Sequence, residues 1–305
     1  MINKLKIFTM VALALSLSAC GTNKKAEPIK VLTPMGAPAL SLLGLYGDKN
    51  VTIDSVDGSD VLSAEFNKKD GYDVIVAPIN LGAKLISGGK SEYQLDSVVT
   101  WGNLYLVGSD EKALTTPGTL AAFGEKAVPQ KVLMSSMDIK SIVPTITYFN
   151  SVNDVQAQLL TQKASVGLMA EPAASATIAK AKEKGLSLKV LKDLQAEYQI
   201  KNNMKTSGYP QAALFVKKTS VDKTKTYLES AKKFSNETSI KDEKALKDAI
   251  GKATVEKLGV PNAEIVQKTW KRQNIKFVKA TEVEKDITTF LNQFKITLNS
   301  EYYTK

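Results

Sequence analysis

The sequence predicts an α/β protein built from two units, each a mostly parallel β-sheet covered by helices, with the second unit inserted into the first. Short β-branched runs alternate with helix-like apolar spacings over residues 29–86 and again over residues 119–184. This alternation is typical of parallel sheets that carry helices on their faces. About 280 residues follow the N-terminal leader, which is enough chain for two modest domains.

In the first unit, alternating or turn-bounded apolar runs mark the strands, and three- to four-residue apolar spacing marks the helices. Pro38 suits the first position of a helix, and Ser59 and Asn80 suit the capping position. The predicted strands are Ile29–Thr33, Val51–Val56, Asp73–Ala77 and Leu95–Trp101, and the predicted helices are Pro38–Tyr46, residues 59–66 and Leu81–Ile86.

The same patterns continue through the second unit, and the chain from Val221 onward is Lys/Glu-rich and predicted to be mostly helical. The predicted strands are Leu104–Val107, Thr119–Phe123, Pro144–Phe149 and Val166–Ala170, and the predicted helices are Val128–Met137, Asn153–Lys163 and Ala173–Lys184.

The apolar run Ala212–Val216 indicates that the chain returns to the first unit. We therefore expect residues 29–105 and 209–305 to form lobe 1 and residues 106–208 to form an inserted lobe 2. Asn103–Gly108 and Tyr209–Val216 are the expected crossover strands between them.

The N-terminus reads as a lipoprotein signal peptide over residues 1–19. Lys4 and Lys6 precede an apolar run, Ile7–Ala14, that is too short to span a bilayer. Leu17-Ser18-Ala19-Cys20 resembles the bacterial lipobox, which implies cleavage before Cys20 and diacylation of its thiol. Residues 20–28 would then tether the folded part to the extracytoplasmic face of the cell membrane. The alternative is an ordinary secreted protein in which Cys20 has no such role.

Composition excludes several classes of chemistry. The chain has no histidine and only one cysteine, Cys20, so no disulfide forms within it and Ser-His-Asp and Cys-His catalysis are ruled out. A zinc site of the usual kind needs those same residues, and we expect no metal and no cofactor. The formal charge is +10, but the lysines are dispersed without an aromatic-interleaved basic stripe. We therefore expect no nucleic-acid binding.

Four motifs in order carry a resemblance to a known family. They are Thr33-Pro34-Met35-Gly36-Ala37-Pro38-Ala39-Leu40, Asp73-Val74-Ile75-Val76-Ala77-Pro78-Ile79-Asn80, Met169-Ala170-Glu171-Pro172-Ala173 and Tyr209-Pro210-Gln211-Ala212. Together they are similar to substrate-binding proteins of ABC transporters, in the group that serves taurine, other sulfonates, nitrate and thiamine precursors. The resemblance covers about residues 29–217. It implies two lobes of type II periplasmic-binding topology, a two-segment hinge, a ligand in the cleft, and permease and ATPase partners.

The candidate site follows from the rule that ligands of open α/β sheets lie at the carboxyl ends of the strands. Gly36 permits close approach of the backbone, and the N–H groups of the following helix favour anionic or carbonyl groups. The loop at Gly124 repeats this arrangement in the second unit, with Lys126 as an added cation. Asn80 and Glu171 also follow predicted strands.

Each of these candidates also has a structural interpretation. The glycines suit turns, Asn80 and Ser59 suit caps, Lys126 suits a solvated surface, Glu171 suits an ion pair, and Trp101 suits the core. Tyr209 and Gln211 lie near the expected hinge. The predicted ligand-binding residues are Met35, Gly36, Ala37, Ser59, Asn80, Trp101, Gly124, Lys126, Ala127, Glu171, Tyr209 and Gln211.

The favoured function is a monomeric, lipid-anchored solute-binding protein of an ABC importer, not an enzyme, that captures a small polar or anionic organic molecule by hinge closure. Glu171 would suit an amine or ring N–H, so a zwitterion or an aromatic heterocycle stays open as a ligand. Two alternatives remain from the sequence. One is an enzyme on the same two-lobed fold, with Glu171 or Asp73 as a base, and the other is a surface adhesin or signalling lipoprotein.

Overall fold

The computed structural model describes residues 27–58, 60–115, 118–139, 145–204 and 207–305. The predicted signal peptide, the lipidation residue Cys20, most of the tether and Ser59 lie outside the described residues, so those assignments stay predictions.

Eleven strands occur in the described part of the chain. They are β1 (Ile29–Pro34), β2 (Val51–Val56), β3 (Val74–Pro78), β4 (Tyr93–Thr100), β5 (Leu104–Gly108), β6 (Thr119–Phe123), β7 (Thr145–Phe149), β8 (Val166–Ala170), β9 (Lys189–Asp193), β10 (Ala212–Lys217) and β11 (Ile275–Lys279).

The α-helices lie between these strands and dominate the C-terminal part. They are α1 (Ala37–Leu40), α2 (Asp60–Glu65), α3 (Ile79–Ser87), α4 (Lys112–Thr115), α5 (Val128–Ser136), α6 (Val152–Leu160), α7 (Ala173–Glu183), α8 (Leu194–Lys201), α9 (Val221–Lys233), α10 (Ser239–Lys241), α11 (Glu243–Ala253), α12 (Val255–Leu258), α13 (Ala263–Thr269) and α14 (Glu284–Asn292).

The strands form two sheets that share one arrangement, since β2-β1-β3-β10-β4 in the first corresponds to β7-β6-β8-β5-β9 in the second. The first has the order β11-β4-β10-β3-β1-β2 and the second β7-β6-β8-β5-β9. In the first sheet β1 pairs in parallel with β2 and β3, and β10 runs antiparallel between β3 and β4. In the second, β6 pairs in parallel with β7 and β8, and β5 runs antiparallel between β8 and β9.

The strand by which the chain enters each sheet from the other, β10 in the first and β5 in the second, is therefore antiparallel to both of its neighbours. The chain passes from β4 of the first sheet to β5 of the second, and it returns from α8 to β10 of the first. The expectation of an α/β fold with two lobes, each a mostly parallel sheet flanked by helices, is confirmed. The exact lobe boundaries, 105/106 and 208/209, stay a prediction.

Two predicted helices differ from the structure. Pro38–Tyr46 is not one helix, because α1 ends at Leu40 and a separate 3-10 turn covers Leu43–Leu45. Gly44 in that turn lies against α9, where an added Cβ would stand 2.6 Å from the Cβ of Phe234. Asn80 is not the cap of α3, since β3 continues to Pro78, which caps a helix that already begins at Ile79.

Four elements were not predicted from the sequence, namely the strands β9 and β11 and the helices α4 and α8. Both strands are edge strands with lysines at exposed or half-buried positions, KVLKD and IKFVK. The lysines interrupt the apolar run that marks a buried strand, and edge positions favour such charges. The C-terminal region is consequently not only helical, because β11 completes the first sheet beside β4.

Within the described ranges, no helix combines the length and apolarity that crossing a membrane requires.

Asp73 joins three elements at one end of the first sheet. This end lies opposite the strand ends that line the cleft. Its carboxylate accepts hydrogen bonds from the Lys30 N–H at 2.8 Å and the Ser220 hydroxyl at 2.6 Å, and it pairs with Lys223 at 2.7 Å. Burial acts to raise the pKa of this carboxyl, but the hydrogen bonds and the Lys223 charge outweigh burial and lower the pKa below its ordinary value of 3.8. Asp73 is thus a structural carboxylate.

We predict that Asp73→Asn lowers the free energy of unfolding by about 1–3 kcal/mol at neutral pH, because charge-assisted hydrogen bonds are lost. Since the folded-state pKa is lowered, the carboxylate's contribution is complete above the ordinary pKa and disappears as pH falls through the lowered value. Urea unfolding at several pH values measures this. The gap between wild type and variant should close in acid, whereas Asp70→Asn should have little effect at any pH. A gap that persists unchanged below pH ~3 contradicts the assignment.

Candidate functional site

A cavity of about 760 Å³ lies between the two sheets, at the carboxyl ends of strands from both. We call it the Glu171 cavity. From the first lobe it is lined by the turns after β1 and β2, by Gln211 and by the segment around α12. From the second lobe it is lined by the starts of α6 and α7, and Asn103 lies on the crossover between β4 and β5. The residues are Met35, Gly36, Ala37, Pro38, Asp57, Asn103, Val152, Asn153, Gln156, Ala170, Glu171, Pro172, Ala173, Ala176, Lys180, Gln211, Val255, Glu256, Gly259, Val260 and Pro261.

The turn after β1 is built as the sequence predicts, but a C-terminal helix covers it. Gly36 has φ +86°, a conformation that glycine adopts at little cost. Its N–H donates to the Leu258 carbonyl of α12 at 2.8 Å. Gly259 packs on Met35, where an added Cβ would come within 2.5 Å of the Met35 Cβ. The Gly36 N–H is therefore already used within the protein.

Glu171 supplies a buried carboxylate at the start of α7. Its side chain is 0% exposed. The carboxylate accepts hydrogen bonds from the Ser175 hydroxyl at 2.9 Å and the Ser175 N–H at 3.2 Å. Burying a carboxylate is costly unless it is paired and hydrogen-bonded, so its partners decide what this site can bind.

The charge partner of Glu171 is Arg272, the only arginine in the sequence. Its Nη2 lies 2.8 Å from Glu171 Oε1 and also bonds the Ser175 hydroxyl, and its guanidinium lies 5.9 Å from the centre of the Tyr105 ring. Arg272 sits in the turn that leads into β11 of the first sheet, whereas Glu171 follows β8 of the second. We call this pair the interlobe ion pair, because it joins the two lobes beside the cavity.

Two buried amide oxygens in the cavity lack a hydrogen-bond partner among the described residues. They are Asn103 Oδ1 and Gln211 Oε1. The Asn103 amide nitrogen donates to the Glu171 carbonyl at 2.8 Å, which fixes the orientation of that side chain. A buried acceptor without a partner costs about 1–3 kcal/mol. With Asp57, Glu171 and Glu256, these oxygens give the cavity an excess of acceptors over donors.

The donor clusters expected at the two glycine loops are mostly satisfied internally. In the second loop the Lys126 N–H donates to Gln130 Oε1 at 2.7 Å, and the Ala127 N–H donates to the Gly124 carbonyl at 3.1 Å. The two loops also do not line a common cavity. Gly36 lines the Glu171 cavity, while Lys126 lines a second one together with Asn80.

The predicted aromatic contacts lie in the core instead of on the cavity. Trp101 is 6% exposed, and its indole N–H donates to the Lys276 carbonyl at 2.9 Å. Tyr209 is fully buried, stacks on Phe290 with ring centres 5.6 Å apart, and bonds Gln195 through its hydroxyl. Both residues flank the hinge, where the Tyr209 N–H donates to the Trp101 carbonyl at 3.1 Å.

Of the predicted residues, the structure thus brings Met35, Gly36, Ala37, Glu171 and Gln211 to one cavity. Sequence reasoning missed Asn103, Glu256 and Arg272. Asn103 was placed only in a crossover strand, and Glu256 sits in one of many Lys/Glu-rich helices. The uniqueness of Arg272 in a chain rich in lysine was the one available signal.

Comparison with known proteins gives no matching family model and no matching curated protein. Solved structures do match. An ABC transporter structure from Parabacteroides distasonis is 19% identical, with a TM-score of 0.76 over 91% of this chain and 99% of that one. The periplasmic aliphatic sulphonate binding protein SsuA from Escherichia coli is 12% identical, with a TM-score of 0.63 over 89% and 87%.

A third match is the ligand binding component of an ABC-type import system from Staphylococcus aureus, solved with zinc bound. It is 13% identical, with a TM-score of 0.62 over 92% of this chain and 96% of that one. The chain has the fold of ABC-transporter substrate-binding proteins. This is the fold that the four sequence motifs implied.

We predict that the interlobe ion pair is energetically asymmetric. Arg272→Gln strands a fully buried carboxylate and should lower the free energy of unfolding by about 2 kcal/mol, whereas Glu171→Gln leaves a half-exposed guanidinium that water can solvate and should cost about 1 kcal/mol. Urea unfolding of both single variants and the double variant measures the costs and their coupling. Lys271→Gln is the matched control, with no expected effect. Equal costs, or a larger cost for Glu171→Gln, would contradict this structure.

Proposed function

We propose that this protein is the extracytoplasmic solute-binding component of an ABC importer, and that it captures a small polar organic molecule in the Glu171 cavity. The shared fold supports the class of protein. The observation that carries the proposal is a cavity lined from both lobes that contains two unpartnered, buried amide oxygens beside a buried carboxylate. Its volume is in the range of small-molecule sites.

The ligand chemistry follows from the acceptor excess. Asn103 Oδ1 and Gln211 Oε1 accept hydrogen bonds, and Asp57 and Glu256 add negative charge, with Lys180 as the cation in the lining. Among the ligands left open by the sequence, these groups favour a molecule with amino or ring N–H donors. A simple anion such as a sulfonate without an amino group fits this cavity less well, because it would face carboxylates.

Closure of the lobes provides the transport signal in this proposal. A solute that contacts both lobes stabilises the closed arrangement in proportion to its differential affinity for that arrangement. The closed protein is then the form that a membrane permease, driven by its ATPase, recognises. Acylation of Cys20 would hold the protein near the permease and raise its effective concentration there.

We predict that Gln211→Leu separates binding from stability. The change removes an unpartnered buried acceptor, so the free energy of unfolding should stay the same or rise, while affinity for the solute should fall at least about tenfold through one lost hydrogen bond. Native mass spectrometry of the purified protein first identifies a co-purified molecule, and calorimetry with that molecule then measures affinity. Gln158→Leu, outside the cavity, is the control.

Two results would contradict the proposal. One is solute affinity in Gln211→Leu equal to that of the control. The other is chemical conversion of the bound molecule during incubation, since a binding protein returns its solute unchanged.

A further inference from the structure

A second cavity, of about 500 Å³, also lies between the lobes, and its lining is basic. Lys84 comes from α3 of the first lobe, whereas Lys126 comes from the loop before α5 and Lys131 from α5 itself in the second lobe. Lys295 follows α14 near the C-terminus. We call it the lysine cavity. Among the described residues, its lining contains no carboxylate, whereas that of the Glu171 cavity contains three.

The four lysines have no ion-pair partner among the described residues. Other lysines of the chain do pair, as Lys223 does with Asp73 and Lys279 with Asp96. Like charges that converge on one concavity repel one another and raise its potential, and low-dielectric walls focus that field. The lysine cavity therefore favours the binding of a negatively charged group.

Two of these lysines are held in a backbone conformation that favours glycine. Lys126 has φ +61° and Lys295 has φ +58°. Such a conformation is unfavourable for a residue with a side chain, and it persists where the surrounding structure fixes it, often at functional sites. The fold thus presents a lysine at two turn positions where glycine would be less strained.

Two amide side chains add neutral hydrogen-bonding groups. Asn80 Oδ1 and Gln293 Oε1 are buried without a partner in the described structure. Gln293 bonds the Tyr198 hydroxyl through its amide nitrogen. Burial raises the pKa of Tyr198 to about 12, so that hydroxyl stays protonated and can donate instead. Rotating the Gln293 amide by half a turn would then direct its N–H donors into the cavity.

We propose that the lysine cavity is a binding site for a small, multiply charged oxyanion of the phosphate class, either inorganic phosphate or the phosphate group of a small organic ester. Lysine ammonium groups and amide N–H donors are suitable partners for such oxygens. Because the lysines come from both lobes, the anion bridges the lobes. This site is separate from the acceptor-rich Glu171 cavity and does not depend on the function proposed for that cavity.

The test is calorimetry and thermal melting of the purified full chain with inorganic phosphate, pyrophosphate and glucose 6-phosphate, at constant ionic strength in 150 mM NaCl. We expect saturable binding with a stoichiometry of one and a raised melting temperature. Lys84→Gln/Lys131→Gln and Lys126→Gly/Lys295→Gly should each weaken binding at least tenfold. Lys182→Gln/Lys247→Gln, which removes the same charge from exposed helix positions, should bind like wild type.

The glycine variant guards against misfolding as an explanation, because it relieves two strained residues and should melt no lower than wild type without ligand. Gln211→Leu should bind phosphate normally, which separates this site from the Glu171 cavity. The proposal is overturned if the lysine-cavity variants bind like the control. It is also overturned if only long polyphosphate or anionic vesicles bind and the small phosphates do not, since that would indicate a surface patch for polyanions.

Discussion

The interlobe ion pair between Arg272 and Glu171 is the interaction on which the arrangement of the two lobes depends. It places the sole arginine of the chain on a carboxylate with no solvent exposure, and it does so across the boundary between the sheets. A carboxylate buried this deeply requires a charged partner. A separation of the lobes that breaks the pair must give Glu171 water or a ligand in exchange, so this contact contributes to the free energy of opening.

The hinge and the two cavities are the other features of the boundary between the lobes. At the hinge, the Trp101 carbonyl accepts hydrogen bonds from Tyr209 and Asn274, and Gly208 lies so close that a Cβ would stand 2.1 Å from that oxygen. The strand ends on either side of this crossing line cavities of opposite character, one rich in acceptors and one rich in lysine. Charge is thus segregated along the crevice in a way that the net charge of +10 does not reveal.

Much of this fold was predictable because its central strands are fully buried. β8 matches its predicted bounds, and β3 and β10 differ by one residue, since unbroken apolar runs leave few alternatives. The edge strands β9 and β11 were missed because lysines interrupt their apolar runs. Arg272 was missed because its contact with Ser175 spans 97 positions of the sequence. The Gly36 and Gly124 loops were found, but local patterns cannot show that Leu258 and Gln130 already occupy their N–H groups.

The central claim, that Arg272 holds the lobes together, is tested most directly by a distance measurement between them. Spin labels at Lys49→Cys and Lys163→Cys, in a Cys20→Ala chain that has no other thiol, report the separation of exposed sites on the two lobes. In the absence of added solute, we expect the labelled chain to populate the separation of this structure together with a longer one, and the longer population to grow when Arg272→Gln is introduced. Coincident distributions in the two proteins would contradict the account.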